Sequence, residues 1–256
     1  MLKLITLNVE TNKHWKRIIP FLRDEQADVI CLQELYLEDI ERLEQIGYQL
    51  AGFQPIQFHA SAINPSQVGF TEGTALFSKL PFREADMEYY HVGADPLPLY
   101  NNASAEGMNT SQKLGLVWAT FEKNDQSYTI ATTQFTWSPD GFSSPLQEKN
   151  IKPMMQLAYQ HPKLILCGDF NIPRPQNALY AKLTERLIDA IPPHITCSLD
   201  MTLHRAAKHL SKDPSIAYLM VDYILHTAGY RVYGVRKVSE VSDHCAMIAQ
   251  VENIVR

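Results

Sequence analysis

The sequence has no long apolar run. No uninterrupted apolar stretch approaches the roughly 20 residues that a membrane-spanning helix needs. The N-terminal segment MLKLITLNVE also lacks the extended apolar core and small-residue cleavage site of a secretory signal. These absences argue against stable membrane insertion and predict an intracellular protein.

Cysteine is scarce, with four residues in 256, and no two of them are close together. The spacing excludes a zinc knuckle or a redox motif. Three of the four lie in apolar runs, as in VICLQ, LILCGD and DHCAMIA, where cysteine behaves as a small buried hydrophobe. A reducing compartment, most simply the cytoplasm, follows from this usage.

A basic excess is also missing. The 23 basic and 28 acidic residues give a formal net charge of −5, whereas a non-specific nucleic-acid binder needs positive charge to neutralise phosphates. An enzyme with a small basic patch beside its site is still compatible with this balance. Because no repeat, charge block or Pro/Gly linker divides the chain, we expect a single domain over residues 1–256.

Short apolar runs alternate with amphipathic segments along the chain, which indicates an α/β fold. The predicted strands are LKLITLN, DVICLQE, GTALFS, LGLVWATF, YTIATTQF, KLILCGDF, VDYILH, YRVYGVRKV and CAMIAQV. One helix is predicted to follow an N-cap at Asn12. Three further helices are predicted from Leu37 to Ile46, from Pro145 to His161 and from Ala178 to Leu187.

Some neighbouring strands leave no room for a crossover helix. Only EKNDQS separates LGLVWATF from YTIATTQF, which is hairpin length and predicts antiparallel pairing. The stretch from Gly93 to Gln112, rich in Pro, Asn, Ser, Ala and Gly, is predicted to be a long surface loop.

Polar side chains stand at the ends of the buried strands, where open α/β folds place ligand groups. They are Asn8, Glu34, Asp169, Asn171, Asp222, Asp243 and His244. Each could coordinate a cation, orient a water molecule or contact phosphate, and each signal is weak by itself. Their recurrence at successive strand ends indicates one shared site.

Local alternatives exist for each group. In GDFN, an extended backbone would place Asp169 and Asn171 on one side, whereas a turn would direct both side chains to local backbone donors. Glu34 is either a solvated strand terminus or a ligand of a hard divalent cation. His244 and Asp222 form either a structural hydrogen bond or an oriented base.

The motifs LNVE, ICLQEL, GTALFSK, GDFN, MVDYIL and SDHC occur in the order and approximate spacing of the endonuclease/exonuclease/phosphatase family, which the chain resembles from Leu4 to about Val251. That family includes DNase I-like nucleases, abasic-site endonucleases, tyrosyl-DNA phosphodiesterases, neutral sphingomyelinases and inositol polyphosphate 5-phosphatases. The resemblance implies a four-layered α/β sandwich with two mixed, mostly antiparallel sheets packed face to face and helices outside.

The resemblance further implies Mg²⁺- or Mn²⁺-dependent hydrolysis of a phosphate ester, with nucleic acid, a small phosphodiester and a lipid headgroup as candidate substrates. Glu34 resembles the principal metal ligand and Asp243 a further metal-site carboxylate. Asn8 would position Glu34 or the phosphate. A divalent cation and hydrogen-bond donors would stabilise the charge that develops on the phosphoryl oxygens.

The remaining roles follow from the same resemblance. Asp169 would orient or deprotonate the attacking water, and Asn171 would hold a phosphate oxygen. His244 would contact the phosphate or act as a base, with Asp222 as its orienting partner.

One position departs from the family pattern. Members usually carry a histidine in a Thr-His pair after the strand corresponding to YTIATT, and this chain has Gln134 there. A glutamine amide can donate a hydrogen bond to phosphate but cannot carry a proton or positive charge. Two hypotheses follow: a slower or retuned enzyme, or a protein that binds phosphate ligands without turnover.

Other residues are weaker substrate-binding candidates. Lys113, His204 and Arg205 could meet a substrate phosphate, and Trp137 could stack on a base or sugar. Glu72 could line the pocket, although a loop carboxylate is usually solvated. No sequence pattern indicates an oligomeric state.

Overall fold

The computed structural model describes residues 1–60, 69–100, 104–174, 176–209 and 211–254. Its strands are β1 Leu2–Asn8, β2 Val29–Tyr36, β3 Gln49–His59, β4 Phe70–Ser78, β5 Phe82–Val92, β6 Lys113–Lys123, β7 Gln126–Gln134, β8 Ile165–Asp169, β9 Ile188–Asp189, β10 Asp222–His226, β11 Tyr230–Val238 and β12 Ala246–Asn253. Its α-helices are α1 Trp15–Glu25, α2 Ile40–Glu44, α3 Ala105–Ser111, α4 Pro145–Ala158 and α5 Tyr180–Leu183.

The strands form two mixed six-stranded sheets, in the orders β11-β12-β1-β2-β4-β3 and β5-β6-β7-β8-β10-β9. Each sheet contains one parallel pairing, β1 with β2 and β7 with β8, and the other named pairings are antiparallel. The predicted α/β sandwich is therefore confirmed.

Both faces of the central strands are buried, which explains their nearly continuous apolar sequences. Leu4 and Cys31 belong to the core cluster that also contains residues of the second sheet, such as Leu166. Ile5 and Ile30 belong to the cluster that covers the other face of the first sheet.

The helices supply the outer layers. On α1, the buried side chains Trp15, Ile18 and Leu22 recur at helical spacing and pack into the core cluster of Ile5 and Ile30. On α4, Ile151 and Met154 are buried and belong to the core cluster that also contains Leu166 of the second sheet.

Several sequence expectations need correction. Helix α1 begins at Trp15 after His14, so Asn12 is not its N-cap. The helix expected from Ala178 to Leu187 is confined to Tyr180–Leu183. A helix also interrupts the loop expected from Gly93 to Gln112, because Ser104 caps α3 by accepting the N–H of Gly107 at 3.0 Å.

Three strands had not been predicted. The apolar pattern of β3 is broken by Gly52 and Pro55, and its register with β4 shifts at both places. Strand β5 lies at a sheet edge and is largely exposed, so its charged residues conceal the strand pattern. Strand β9 has two residues, too few to produce a pattern.

Among the described residues, no helix combines the length and apolar character that crossing a membrane requires.

Phe77 tests the packing of the first sheet. Its side chain is fully buried in the core cluster that contains Ile5 and Ile30. Phe77→Ala should therefore lower the free energy of unfolding by about 3–5 kcal/mol through lost burial and a residual cavity. Urea denaturation measures the change. Phe142→Ala is the matched control: that ring is 60% exposed, and its change should stay within about 0.5 kcal/mol. Equal effects of the two substitutions would contradict the described packing.

Candidate active site

The two parallel strand pairs bring their carboxyl ends to one edge of the sandwich. Asn8 is paired with Gln33 at the end of β1 and β2, and Gln134 is paired with Asp169 at the end of β7 and β8. Asp222 pairs with Asp169 from the other side. These strand ends open into a cleft of about 710 Å³ that Glu34, Gln134, Asp169, Asn171, Asp243 and His244 help to line.

Asn8 connects the two sheets. Its Nδ2 donates to Glu34 Oε1 at 2.9 Å and to Asp169 Oδ2 at 3.1 Å. Its Oδ1 accepts the backbone N–H of Glu10 at 3.0 Å. The amide is almost fully buried, so it holds one carboxylate from each sheet in a fixed relation.

Glu34 lies at a β-bulge. The register between β2 and β4 shifts between Leu32 and Leu35, and Glu34 has a left-handed φ of 55°. A bulge redirects a side chain away from regular alternation. Here the bulge turns the Glu34 carboxylate into the cleft, where it accepts hydrogen bonds from Asn8 and Gln134.

Burial and neighbouring carboxylates make ionisation of Glu34 unfavourable. They raise the pKa of Glu34 to about 8, with burial as the largest cause, followed by the charge of Glu72 and, more weakly, of Asp243, while the hydrogen bond from Asn8 opposes the rise. In the described part of the chain Glu34 forms no ion pair, and the more distant charge of His244 offsets its burial only in part.

Gln134 contacts Glu34. Its Nε2 donates to Glu34 Oε1 at 2.9 Å. The same oxygen accepts the hydrogen bond from Asn8. Its Oε1 is buried and has no hydrogen-bond partner among the described residues. The amide thus orients Glu34 and leaves one acceptor oxygen unsatisfied.

Asp169 and Asn171 meet the cleft through a turn and not through extended alternation. Strand β8 ends at Asp169, Asn171 has a left-handed φ of 51°, and the N–H of Asn171 donates to Asp169 Oδ1 at 3.0 Å. Asn171 Nδ2 donates to the Phe135 carbonyl at 3.0 Å. Of the two geometries considered for GDFN, the structure has the turn, and both side chains line the cleft.

Asp169 is also hard to ionise in this setting. Burial and the nearby Asp222 carboxylate raise the pKa of Asp169 to about 7, while His244 and the hydrogen bonds from Asn171 and Asn8 act in the opposite direction. A group that titrates near neutral pH is suited to accept a proton there.

His244 is held by a buried carboxylate. Its Nδ1 lies 2.8 Å from Asp222 Oδ2, and Asp222 itself is fixed because Ser198 Oγ accepts the backbone N–H groups of Val221 and Asp222. Burial by itself would lower the pKa of His244, but the Asp222 charge and hydrogen bond outweigh it and place that pKa well above its ordinary value. His244 is accordingly an imidazolium with a fixed orientation.

Asp243 lies between His244 and His204. Burial raises the pKa of Asp243, and His204 Nε2 is 3.8 Å from Asp243 Oδ2. Burial and the charges of His244 and Arg205 lower the pKa of His204 to about 4. His204 is therefore a neutral ring at neutral pH and contributes no charge for binding phosphate.

The donor set fits a hard divalent cation. Glu34 and Asp243 are carboxylates with raised pKa values, and the acceptor oxygen Gln134 Oε1 is buried without a partner. Mg²⁺ and Mn²⁺ prefer such oxygen ligands. A cation here would offset the cost of the clustered negative charge.

The weaker sequence candidates divide. Trp137, His204 and Arg205 line the cleft. Lys113 is not among the described lining residues, because its Nζ donates to Asp95 Oδ1 at 2.6 Å instead. Glu72 is neither in a loop nor solvated, since it lies on β4 and is buried.

Sequence reasoning missed part of the cleft wall. Gln57 and His59 lie on β3, and Tyr100 follows β5; neither strand had a recognisable pattern. Tyr36 and Gln112 also line the cleft. The ICLQEL motif ends one residue before Tyr36, which was the nearest available signal.

A model of the Endonuclease/Exonuclease/phosphatase family matches residues 5–244. The chain belongs to this family. Its members are hydrolases that act on phosphoester bonds, and they typically use divalent metals. No curated protein matches the chain by sequence.

Solved structures share the fold at low sequence identity. A family protein from Leptotrichia buccalis has a TM-score of 0.69 and 17% identity, with 98% of this chain and 100% of that chain covered. A 3′ phosphatase from Neisseria bound to a product DNA hairpin has a TM-score of 0.66 and 17% identity, with 98% of this chain and 100% of that chain covered. Sphingomyelinase C from Streptomyces griseocarneus has a TM-score of 0.60 and 18% identity, with 97% of this chain and 98% of that chain covered.

Asp222→Asn tests the His244 environment of this family member. Burial lowers the pKa of His244 and the Asp222 charge raises it. Without that charge the pKa of His244 should fall by roughly 1–3 pH units, as measured by NMR titration of the ring protons. Because the wild-type pKa is raised, the pair stabilises the fold below the ordinary histidine pKa, and this contribution is lost as pH rises through the raised value.

Asp125→Asn is the control for this experiment, because Asp125 is exposed in the turn between β6 and β7. Its substitution should leave the His244 titration unchanged. An unchanged titration in Asp222→Asn would show that Asp222 does not hold the imidazolium.

Proposed function

We propose that this chain is a divalent-metal-dependent phosphoesterase that hydrolyses a phosphodiester with an activated water molecule. The observation that carries the proposal is the bridge from Asn8 to Glu34 and Asp169. This bridge links Glu34, the proposed metal ligand, to Asp169, the proposed base, and family membership supports this chemistry.

Glu34 and Asp243 would hold the cation, with Mg²⁺ or Mn²⁺ as the candidates and Asn8 orienting Glu34. When bound, such a cation polarises phosphoryl oxygens and neutralises the charge that develops on them. The Asn8 and Gln134 amides both donate to Glu34 Oε1, and Glu34 lines the cleft in which the cation would lie.

Asp169 would orient the attacking water and accept its proton. Its Oδ2 accepts a hydrogen bond from Asn8 Nδ2, and its Oδ1 accepts one from the backbone N–H of Asn171. The carboxylate therefore cannot rotate freely. A pKa raised to about 7 gives Asp169 the basicity that proton transfer at neutral pH requires.

His244 and Asn171 would bind the phosphate. Asp222 occupies Nδ1 of His244, which leaves the Nε2–H as a charged donor. Asn171 Nδ2 uses one hydrogen for Phe135 and keeps a second for a phosphoryl oxygen. Arg205 would add positive charge at the cleft wall.

The substrate is proposed to be a small phosphodiester or a headgroup in preference to a long nucleic acid. Among the described lining residues, the lysines and arginines are Lys13 and Arg205, and Lys13 already pairs with Glu10. Polymer binding depends on several phosphate contacts. Nucleic acid remains a substrate to test, because the Neisseria neighbour is described as a phosphatase bound to DNA.

The cytoplasm is the proposed compartment. All four cysteines are free and buried, and unpaired cysteines are typical of reducing compartments.

A second candidate is a phosphate-ligand-binding protein with weakened catalysis. Gln134 favours it, since an amide that donates to Glu34 supplies no positive charge to a transition state. Persistent ligand binding with no turnover across metals and pH would identify this second function.

Asp169→Asn tests the enzyme. Purified full chain is assayed with bis-p-nitrophenyl phosphate and Mg²⁺ or Mn²⁺, and chelation with EDTA should abolish turnover. The substitution removes the base and should lower kcat by roughly a hundredfold or more. Asp125→Asn changes an exposed aspartate and should retain wild-type kcat. Full activity of Asp169→Asn would refute the assigned role.

Gln134→His tests the departure from the family pattern. A histidine can donate from a ring nitrogen and carry positive charge, so kcat should rise, by less than about a hundredfold because glutamine already donates. The same metal-dependent assay measures it, with Gln126→His on the other end of β7 as a control. No rise would show that Gln134 does not limit catalysis.

A further inference from the structure

Four ring side chains form a cluster beside the metal-site carboxylates. Tyr36 stacks on Phe70 with ring centroids 5.0 Å apart and meets His59 edge-on at 5.3 Å. Tyr100 stacks on His59 at 4.3 Å with an interplanar angle of 18°. Tyr36, His59 and Tyr100 line the cleft that also contains Glu34. We call these four residues the ring cluster.

The ring cluster lies outside the hydrophobic core. The core clusters of the described residues do not include Tyr36, Phe70 or Tyr100. Phe70 is 38% exposed and Tyr100 is partly exposed. Tyr36 is buried, whereas Tyr100 is a partly exposed ring at the cleft and is available to a ligand.

Hydrogen bonds hold the His59 ring and the backbone of Tyr100. His59 Nε2 contacts the buried carboxylate of Glu72, which also accepts Gln57 Nε2 at 3.1 Å. The backbone N–H of Tyr100 donates to the Phe58 carbonyl at 2.6 Å. The ring cluster is therefore pre-organised, which lowers the entropy cost of stacking a ligand on it.

Side-chain amides lie next to the rings. Gln112 Nε2 donates to Gln57 Oε1 at 3.1 Å, and both glutamines line the cleft. An amide combines donors and an acceptor, so it can pair with the polar edge of a heteroaromatic ring. An acyl chain would stack poorly on the rings and would offer no hydrogen bond to these amides.

Cleft size and charge limit the rest of the ligand. A volume of about 710 Å³ is within the range of small-molecule sites. Arg205 and the Glu10-paired Lys13 are the lysine and arginine side chains among the described lining residues. The cleft therefore suits a ligand with one or two phosphates more than a polyanion.

We propose that the ring cluster is a stacking subsite for a planar heteroaromatic ring carried by the phosphoester, with Tyr100 as the contacting ring and Gln57 and Gln112 facing the ring edge. The substrate class is then a small, nucleotide-like phosphoester. This inference rests on the proposed function for the place of the phosphate, which would lie at His244 and Glu34.

The test compares two ligands that share a sugar phosphate and differ by the ring. Adenosine 5′-monophosphate and ribose 5-phosphate are titrated into the full chain with Mg²⁺ by isothermal titration calorimetry. Stacking on an aromatic side chain should make the nucleotide bind roughly five- to hundredfold more tightly. Tyr100→Leu keeps bulk without an aromatic face, so this ratio should fall toward one.

Two variants serve as controls. Tyr100→Phe keeps the ring and should keep the ratio. Phe70→Leu removes a ring of the cluster that is not among the described lining residues and should also keep it. Affinity for ribose 5-phosphate should be unchanged in all three variants, because its binding needs no ring.

The outcomes separate this proposal from the proposed function. Equal affinities in the wild type, no binding of either ligand, or an unchanged ratio in Tyr100→Leu would overturn the stacking subsite. A retained, Tyr100-dependent ratio without turnover of bis-p-nitrophenyl phosphate would instead leave the subsite standing and overturn the hydrolase.

Discussion

The arrangement of the site depends on the amide of Asn8. This side chain lies at the end of the first strand of one sheet and reaches Asp169 at the end of a strand in the other. Because its oxygen is already held by the backbone of Glu10, both amide hydrogens are directed at carboxylates. The distance between Glu34 and Asp169 is thereby set by the packing of two sheets, which is far stiffer than a loop.

Clustered carboxylates dominate the electrostatics around this amide. Burial raises the pKa of Glu34, Asp169 and Asp243, so each resists ionisation in the absence of positive charge. His244 supplies one cation on the Asp222 side. Among the described residues, the hydrogen bonds to Glu34 come from the neutral amides of Asn8 and Gln134, an environment that a divalent cation would complete.

Local backbone irregularities aim the functional groups. Glu34 and Asn171 both have left-handed φ values, and each follows the regular part of a strand. A left-handed glutamate costs free energy that asparagine largely avoids, so the bulge at Glu34 must be stabilised by the sheets around it. The ring cluster depends on the same region, because Glu72 on β4 contacts His59 and raises the pKa of Glu34.

The sequence by itself determined most of the central strands and the candidate groups at their ends, because strands buried on both faces leave continuous apolar runs that stop at conspicuous polar residues. The sandwich was predicted from the resemblance of its motifs to the family. Only the tertiary structure decided how those groups meet. The contacts of Gln134 with Glu34, of Asn171 with the Phe135 carbonyl and of Tyr100 with His59 join residues far apart in the chain. Irregular β3 carries no strong period, so the part of the cleft wall formed by Gln57 and His59 became visible only through its contacts.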